Sequence, residues 1–84
     1  MARTEDPVVA FARRLRHVRK ERGLSQEQLA ALAGLDRTYV SSCEAGRRNA
    51  TIRTIDRLSN ALHIDPSALV SDARPSDVTE DADA

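Results

Sequence analysis

Large aromatic side chains are almost missing from these 84 residues: there is one Phe, one Tyr and no Trp. A core built from rings is thereby excluded. The single cysteine, Cys43, rules out an internal disulfide, and with two isolated histidines it makes no structural zinc site. No apolar run approaches the ~20 residues that a membrane-spanning helix needs. The start, MARTEDPVVAFARR, holds no apolar segment of the signal-peptide kind, so a soluble cytoplasmic protein is expected. No Ser–His–Asp, Cys–His or paired-carboxylate grouping suggests catalysis, and a chain this short has little room for a pocket. Neither an enzyme nor a cofactor is expected, and His17 and His63 have no partner that points to a metal.

One sign of charge is also missing, but only locally. The formal net charge is zero. Residues 1–71 hold twelve Arg/Lys against eight Asp/Glu, a net of +4, while residues 72–84 hold one Arg against five Asp/Glu, a net of −4. A basic body with an acidic tail fits attraction to a polyanion, although charged helix faces alone would also give a basic body.

What is there is a succession of helix signals. Asp6 followed by Pro7 reads as a capping carboxylate with proline at the first helical position. Val8, Phe11, Leu15 and Val18 then recur at spacings of three and four. A first helix over about 7–22 is expected, stopped by Gly23. Ser25 and Gln28 have capping-box spacing for a second helix, with Leu29, Ala30, Leu32 and Ala33 as its apolar side and Gly34 at its end. Asp36 caps a third helix over about 37–44, with Val40 and Cys43 inward and Gly46 beyond. Thr51 caps a fourth through about Leu62, with Ile52, Ile55, Leu58, Ala61 and Leu62 as its buried face. Asp65–Pro66 repeats the first start signal before a short fifth helix holding Ala68, Leu69 and Val70. Sustained strand alternation is absent. The expected fold is all-α: a compact five-helix bundle, with a flexible N-terminus over 1–5, a folded domain over 6–71 and a disordered acidic tail over 72–84.

The second and third helices are separated by only Gly34, Leu35 and Asp36, which fixes their crossing angle. Ala30 and Ala33 permit close approach at the contact. The outward side of the third helix keeps Arg37, Thr38, Ser41 and Ser42. These are hydrogen-bonding groups of short or medium reach, on a rod about as wide as a DNA major groove. Arg37 and the two serines could also be ordinary solvated surface.

The run LSQEQLAALAGLDRTYVSSCEAGRRN, followed by TIRTIDRLSNALHIDPSALV, resembles the phage-repressor/Cro-like helix-turn-helix family over about residues 11–70. It is most similar to restriction–modification controller proteins and small stand-alone repressors. The resemblance implies base reading by Arg37, Thr38, Ser41 and Ser42. It implies phosphate contacts by Gln26, with the helix start at Ser25 assisting, and by Arg47, Arg48 and Asn49 in the following loop. Tyr39 and Arg53 would add to these, and Arg19 and Glu44 would form a structural ion pair. Cys43, where the family usually has a larger apolar residue, reads as a small core residue rather than a redox sensor.

One helix in one groove touches few base pairs, so a homodimer on a palindromic double-stranded operator is expected. Ile64, Leu69 and Val70 are the candidate dimer surface; with Leu62 all of them could instead complete the monomer core, and Leu62 and Leu69 are expected to lie there, with Ile64 or Val70 partly at the interface. A bound dimer could block RNA polymerase or touch and assist it. The acidic tail could compete with DNA for the basic body. The rival from another class is an antitoxin-like interaction module that also represses its own operon, for which only the tail could serve as a binding segment.

Overall fold

The computed structural model describes residues 5–70. The behaviour expected of residues 72–84 and of residues 1–4 therefore lies outside the described residues. Glu5 is drawn onto the first helix, where its carboxylate accepts from Arg13 Nη2 at 2.8 Å and Nε at 3.2 Å. The described residues form five helices and no strand: α1 (Pro7–Glu21), α2 (Gln26–Ala33), α3 (Arg37–Glu44), α4 (Ile52–Leu62) and α5 (Ser67–Val70).

Four of the five starts follow the capping chemistry of the sequence. Asp6 Oδ1 accepts from the Val8 N–H at 2.7 Å, one residue after Pro7 sets the helical φ. Ser25 and Gln28 close a reciprocal box: Ser25 Oγ accepts the Gln28 N–H at 3.0 Å, and Gln28 Oε1 accepts the Ser25 N–H at 2.8 Å. Thr51 Oγ1 accepts the Thr54 N–H at 3.1 Å, and Asp65 Oδ1 accepts the Ser67 N–H at 2.9 Å. α3 is the exception. Asp36 stands at the N-cap and its carbonyl accepts from Tyr39 and Val40, but its carboxylate makes no cap bond. The expectation of a side-chain cap there is corrected.

The core is aliphatic. Leu15, Leu29, Val40, Cys43, Leu58, Leu62 and Leu69 are fully buried, with Phe11, Ala30 and Ala33 packed among them. At about 1.5–3 kcal/mol for each large side chain withdrawn from water, these contacts are the principal driving term. Two expectations about apolar faces are corrected, and the expected core place of Leu69 removes it from the candidate dimer surface. Leu32 is 61% exposed: the buried side of α2 is set by Leu29, Ala30 and Ala33, and at ~100° per residue Leu32 points roughly a quarter-turn away. Ile52 is 86% exposed, because the first residue of α4 projects beyond the elements that cover Leu58 and Leu62. Leu69 is wholly buried within the single chain, so it has no surface to offer a partner; Val70 is exposed and Ile64 half-buried.

The turn between α2 and α3 occupies Gly34, Leu35 and Asp36, as the sequence predicts. Gly34 adopts φ +69°, and the Leu35 N–H reaches back to the Ala30 carbonyl at 2.8 Å. This left-handed closure satisfies the last carbonyls of α2 and turns the chain at once into α3. The Gly34 carbonyl accepts from Arg57 Nη1 at 3.4 Å, which braces the turn against α4.

Candidate nucleic-acid interface

α3 presents two unlike sides. Val40 and Cys43 are buried without remainder, and burial pushes the Cys43 thiol above its ordinary range, as befits a core residue. On the outward side Arg37 and Thr38 are exposed, with Ser41 and Ser42 half-buried one turn later. None of the four makes a side-chain hydrogen bond or ion pair among the described residues. They are donors and acceptors held on a rigid rod with no internal use.

The residues expected at phosphates flank this helix, and several are positioned through one another. Tyr39 packs against the core, and its hydroxyl donates to Thr54 Oγ1 at 3.4 Å near the start of α4. The Arg48 guanidinium lies over the Tyr39 ring, 4.5 Å from its centroid. This stack, of order 0.5–1 kcal/mol at an exposed site, pre-sets Arg48 beside α3. Arg47, Asn49 and Arg53 are exposed on the following loop and the first turn of α4. Ser25 is less available than expected: its backbone N–H and hydroxyl oxygen are committed to the α2 cap, which leaves its hydroxyl hydrogen.

The rear of the site is a buried carboxylate network that sequence reading found only in part. Glu44 Oε2 accepts from Arg19 Nε at 2.6 Å, and Oε1 accepts from Arg19 Nη2 at 2.9 Å. Arg19 Nη1 also donates to the Leu24 carbonyl at 2.7 Å. The two side chains are 10% and 3% exposed. The Glu44 hydrogen bonds hold Arg19 protonated above its already high range, against the cost of burial. The addition is Gln26, whose Nε2 donates to Glu44 Oε1 at 3.0 Å. The residue opening α2 is thus oriented by the residue closing α3. Two further ties, from Arg22 Nε to the Leu62 carbonyl at 2.9 Å and from Arg57 to Gly34, carried no local signal in the sequence. Both join segments more than twenty residues apart.

Two helices pinned at a three-residue turn, their apolar back buried and their polar front uncommitted, define a helix-turn-helix DNA-binding regulator. The comparison with known proteins agrees: the chain belongs to the helix-turn-helix family, whose pattern matches residues 15–69. It is similar to the control protein C.MunI of Mycoplasma sp, at 44% identity over 68 residues that cover 80% of this chain and 92% of that one. Among solved structures it is similar to the restriction–modification controller protein C.AhdI from Aeromonas hydrophila, with a TM-score of 0.73, 50% identity and coverage of 74% of this chain and 94% of that one. The controller protein C.Esp1396I, solved as a tetramer with its natural 35-base-pair operator, gives a TM-score of 0.69 at 31% identity, covering 73% of this chain and 80% of that one. The relatives are regulators rather than enzymes. No helix among the described residues is long and apolar enough to cross a membrane.

Proposed function

We propose that the chain is a sequence-specific transcriptional regulator of the controller-protein type, which binds a palindromic operator as a homodimer with α3 in the major groove. The observation that carries this is the outward face of α3: Arg37, Thr38, Ser41 and Ser42 have hydrogen-bonding capacity and no side-chain partner among the described residues. Arg37 reads guanine through its paired donors, and Thr38 offers a methyl to thymine or a hydroxyl to either neighbour. Gln26, Arg47, Arg48, Asn49 and Arg53 fix the register on phosphates, with Ser25 assisting; Tyr39 joins them only by releasing the hydroxyl hydrogen that it donates to Thr54. One of the two Gln26 amide hydrogens is held by Glu44, which leaves the second to aim outward.

Pairing of chains uses the apolar residues that the core leaves uncovered near α5. Val70 is 53% exposed and Ile52 86% exposed, and both border a shallow groove that Ile55 and Pro66 complete. Ile64, half-buried after the end of α4, is not part of that groove and would add to the contact only from outside it. The operator-bound tetramer of C.Esp1396I supports a multimeric mode of action. The dimer represses by covering a promoter or activates by contact with RNA polymerase, according to where its operator lies.

Selection from a random duplex pool tests the reading. A palindromic consensus with half-sites about one helical turn, ~34 Å, apart is expected. Recovery of no enriched sequence would remove it. Arg48→Ala should weaken all duplexes alike and lower the salt slope by about 1.8, one phosphate contact from each protomer of the dimer.

A further inference from the structure

A groove with several cations in its lining runs along α1. It lies between α1 and the end of α3, lined by Val9, Arg16, His17 and Lys20 on the α1 side and by Glu44 and Gly46 on the other. Val9 is 46% exposed. Arg16 and Lys20 are exposed and have no side-chain partner among the described residues. The one carboxylate in the lining, Glu44, is neutralised by Arg19, and Glu21, outside the lining, lies 3.3 Å from His17.

The same chain carries the complementary charge. Residues 71–84 hold Asp72, Asp77, Glu80, Asp81 and Asp83 against Arg74, with Val78 as an apolar residue among the carboxylates. They lie beyond the family match, which ends at residue 69. Their point of departure is also suitable. Val70 lines one cavity with Pro7 and Val8, at the beginning of the helix whose flank forms the groove. α1 has 15 residues, a length of about 22 Å at 1.5 Å per residue. Fourteen extended residues span roughly 46 Å, enough to follow the whole groove with slack.

We propose that the acidic segment 71–84 docks in the groove between α1 and the end of α3, with its carboxylates on Arg16 and Lys20, and there acts as a competitor of non-operator DNA. The groove ends at Gly46, directly before Arg47 and Arg48. Carboxylates seated in it place negative charge beside the loop that grips phosphate, and a second polyanion must displace them or bear their repulsion. A specific operator, which also engages the α3 face, supplies the extra binding energy to do so, whereas non-operator duplex does not. The segment therefore raises the ratio of specific to non-specific affinity. The consequence for DNA rests on the function proposed above; the docking does not.

The test uses the full-length chain with the segment neutralised in place: Asp72→Asn, Asp77→Asn, Glu80→Gln, Asp81→Asn and Asp83→Asn together. Affinity for a non-operator duplex should tighten roughly three- to tenfold at 50 mM salt, with the gap closing as salt screens the attraction. Backbone amide resonances should shift along Val9–Lys20 and Ala45–Gly46 in the protein alone. Replacing Arg16 and Lys20 by Gln should abolish both tail-dependent effects. Absence of shifts at those residues would overturn the docking, as would shifts spread evenly over the fold. Equal loss of DNA affinity from the Arg16/Lys20 variant with either tail would mark the groove as a DNA surface and overturn the proposal. Shifts that persist in a protein binding no duplex would leave the docking standing and remove the DNA-binding reading instead.

Discussion

The two ends of α3 are treated in opposite ways. At its start Arg37 and Thr38 project into solvent without partners among the described residues. At its end the Glu44 carboxylate accepts three hydrogen bonds, two from Arg19 and one from Gln26, and is almost wholly enclosed. One helix eight residues long thus carries both an open polar surface and a closed polar lock. The contrast separates two uses of polarity in a small protein. Enclosed charge needs complete internal satisfaction, whereas a surface meant for another molecule must leave its capacity unspent.

The strongest way to break the contrast is to open the lock. Glu44→Ala strands Arg19 in a site closed to water and should cost about 3–5 kcal/mol in denaturant unfolding. Arg19→Met combined with Glu44→Leu should recover most of it, because the penalty belongs to the orphaned charge. A double variant as unstable as Glu44→Ala alone would mean that the pair is irreplaceable. At the open end, Arg37→Ala should leave unfolding within about 0.5 kcal/mol of the parent, as surface changes usually do. It should reduce discrimination at one operator position by about 1–3 kcal/mol, read from the selected pool. A large loss of stability there would show that Arg37 is not free for DNA.

A finer test concerns how the two ends are held in relation to each other. Gly34→Ala places a Cβ at φ +69° with only Arg57 Nη1 at 4.0 Å, so the cost is conformational rather than steric, roughly 1–2 kcal/mol. Unchanged stability would mean that the turn relaxes. The smallest effect is at Cys43. Its folded thiol ionises at higher pH than the ordinary value of 9.0, because burial opposes the thiolate. The associated stability is fully present below pH 9 and declines as pH rises from there through the folded value. Between pH 9 and 10 the parent should lose more stability than Cys43→Val, by less than about 1 kcal/mol. Parallel pH profiles would show that the thiol plays no part.

The same contrast explains what could be read from the sequence. Element starts were legible because capping is local: Asp6–Pro7, Ser25 with Gln28, and Thr51 specify their helices through neighbours two or three residues away. The helix-turn-helix was legible because Gly34 needs a left-handed backbone at a fixed distance from two helical patterns. The faces were less so. Periodicity shows which way Ile52 points but not that the neighbouring helices stop short of it. The Gln26–Glu44 contact spans eighteen residues and depends on how α2 crosses α3, a quantity that no local pattern encodes.

That shared carboxylate has a practical consequence for genetics. A screen that scores only loss of regulation would collect substitutions at Glu44 alongside those at Arg37 and file both as operator contacts. Glu44 would earn its place by a different route, through a collapsing interior and a Gln26 amide set adrift. Measuring how much folded protein each mutant cell contains would tell the two groups apart.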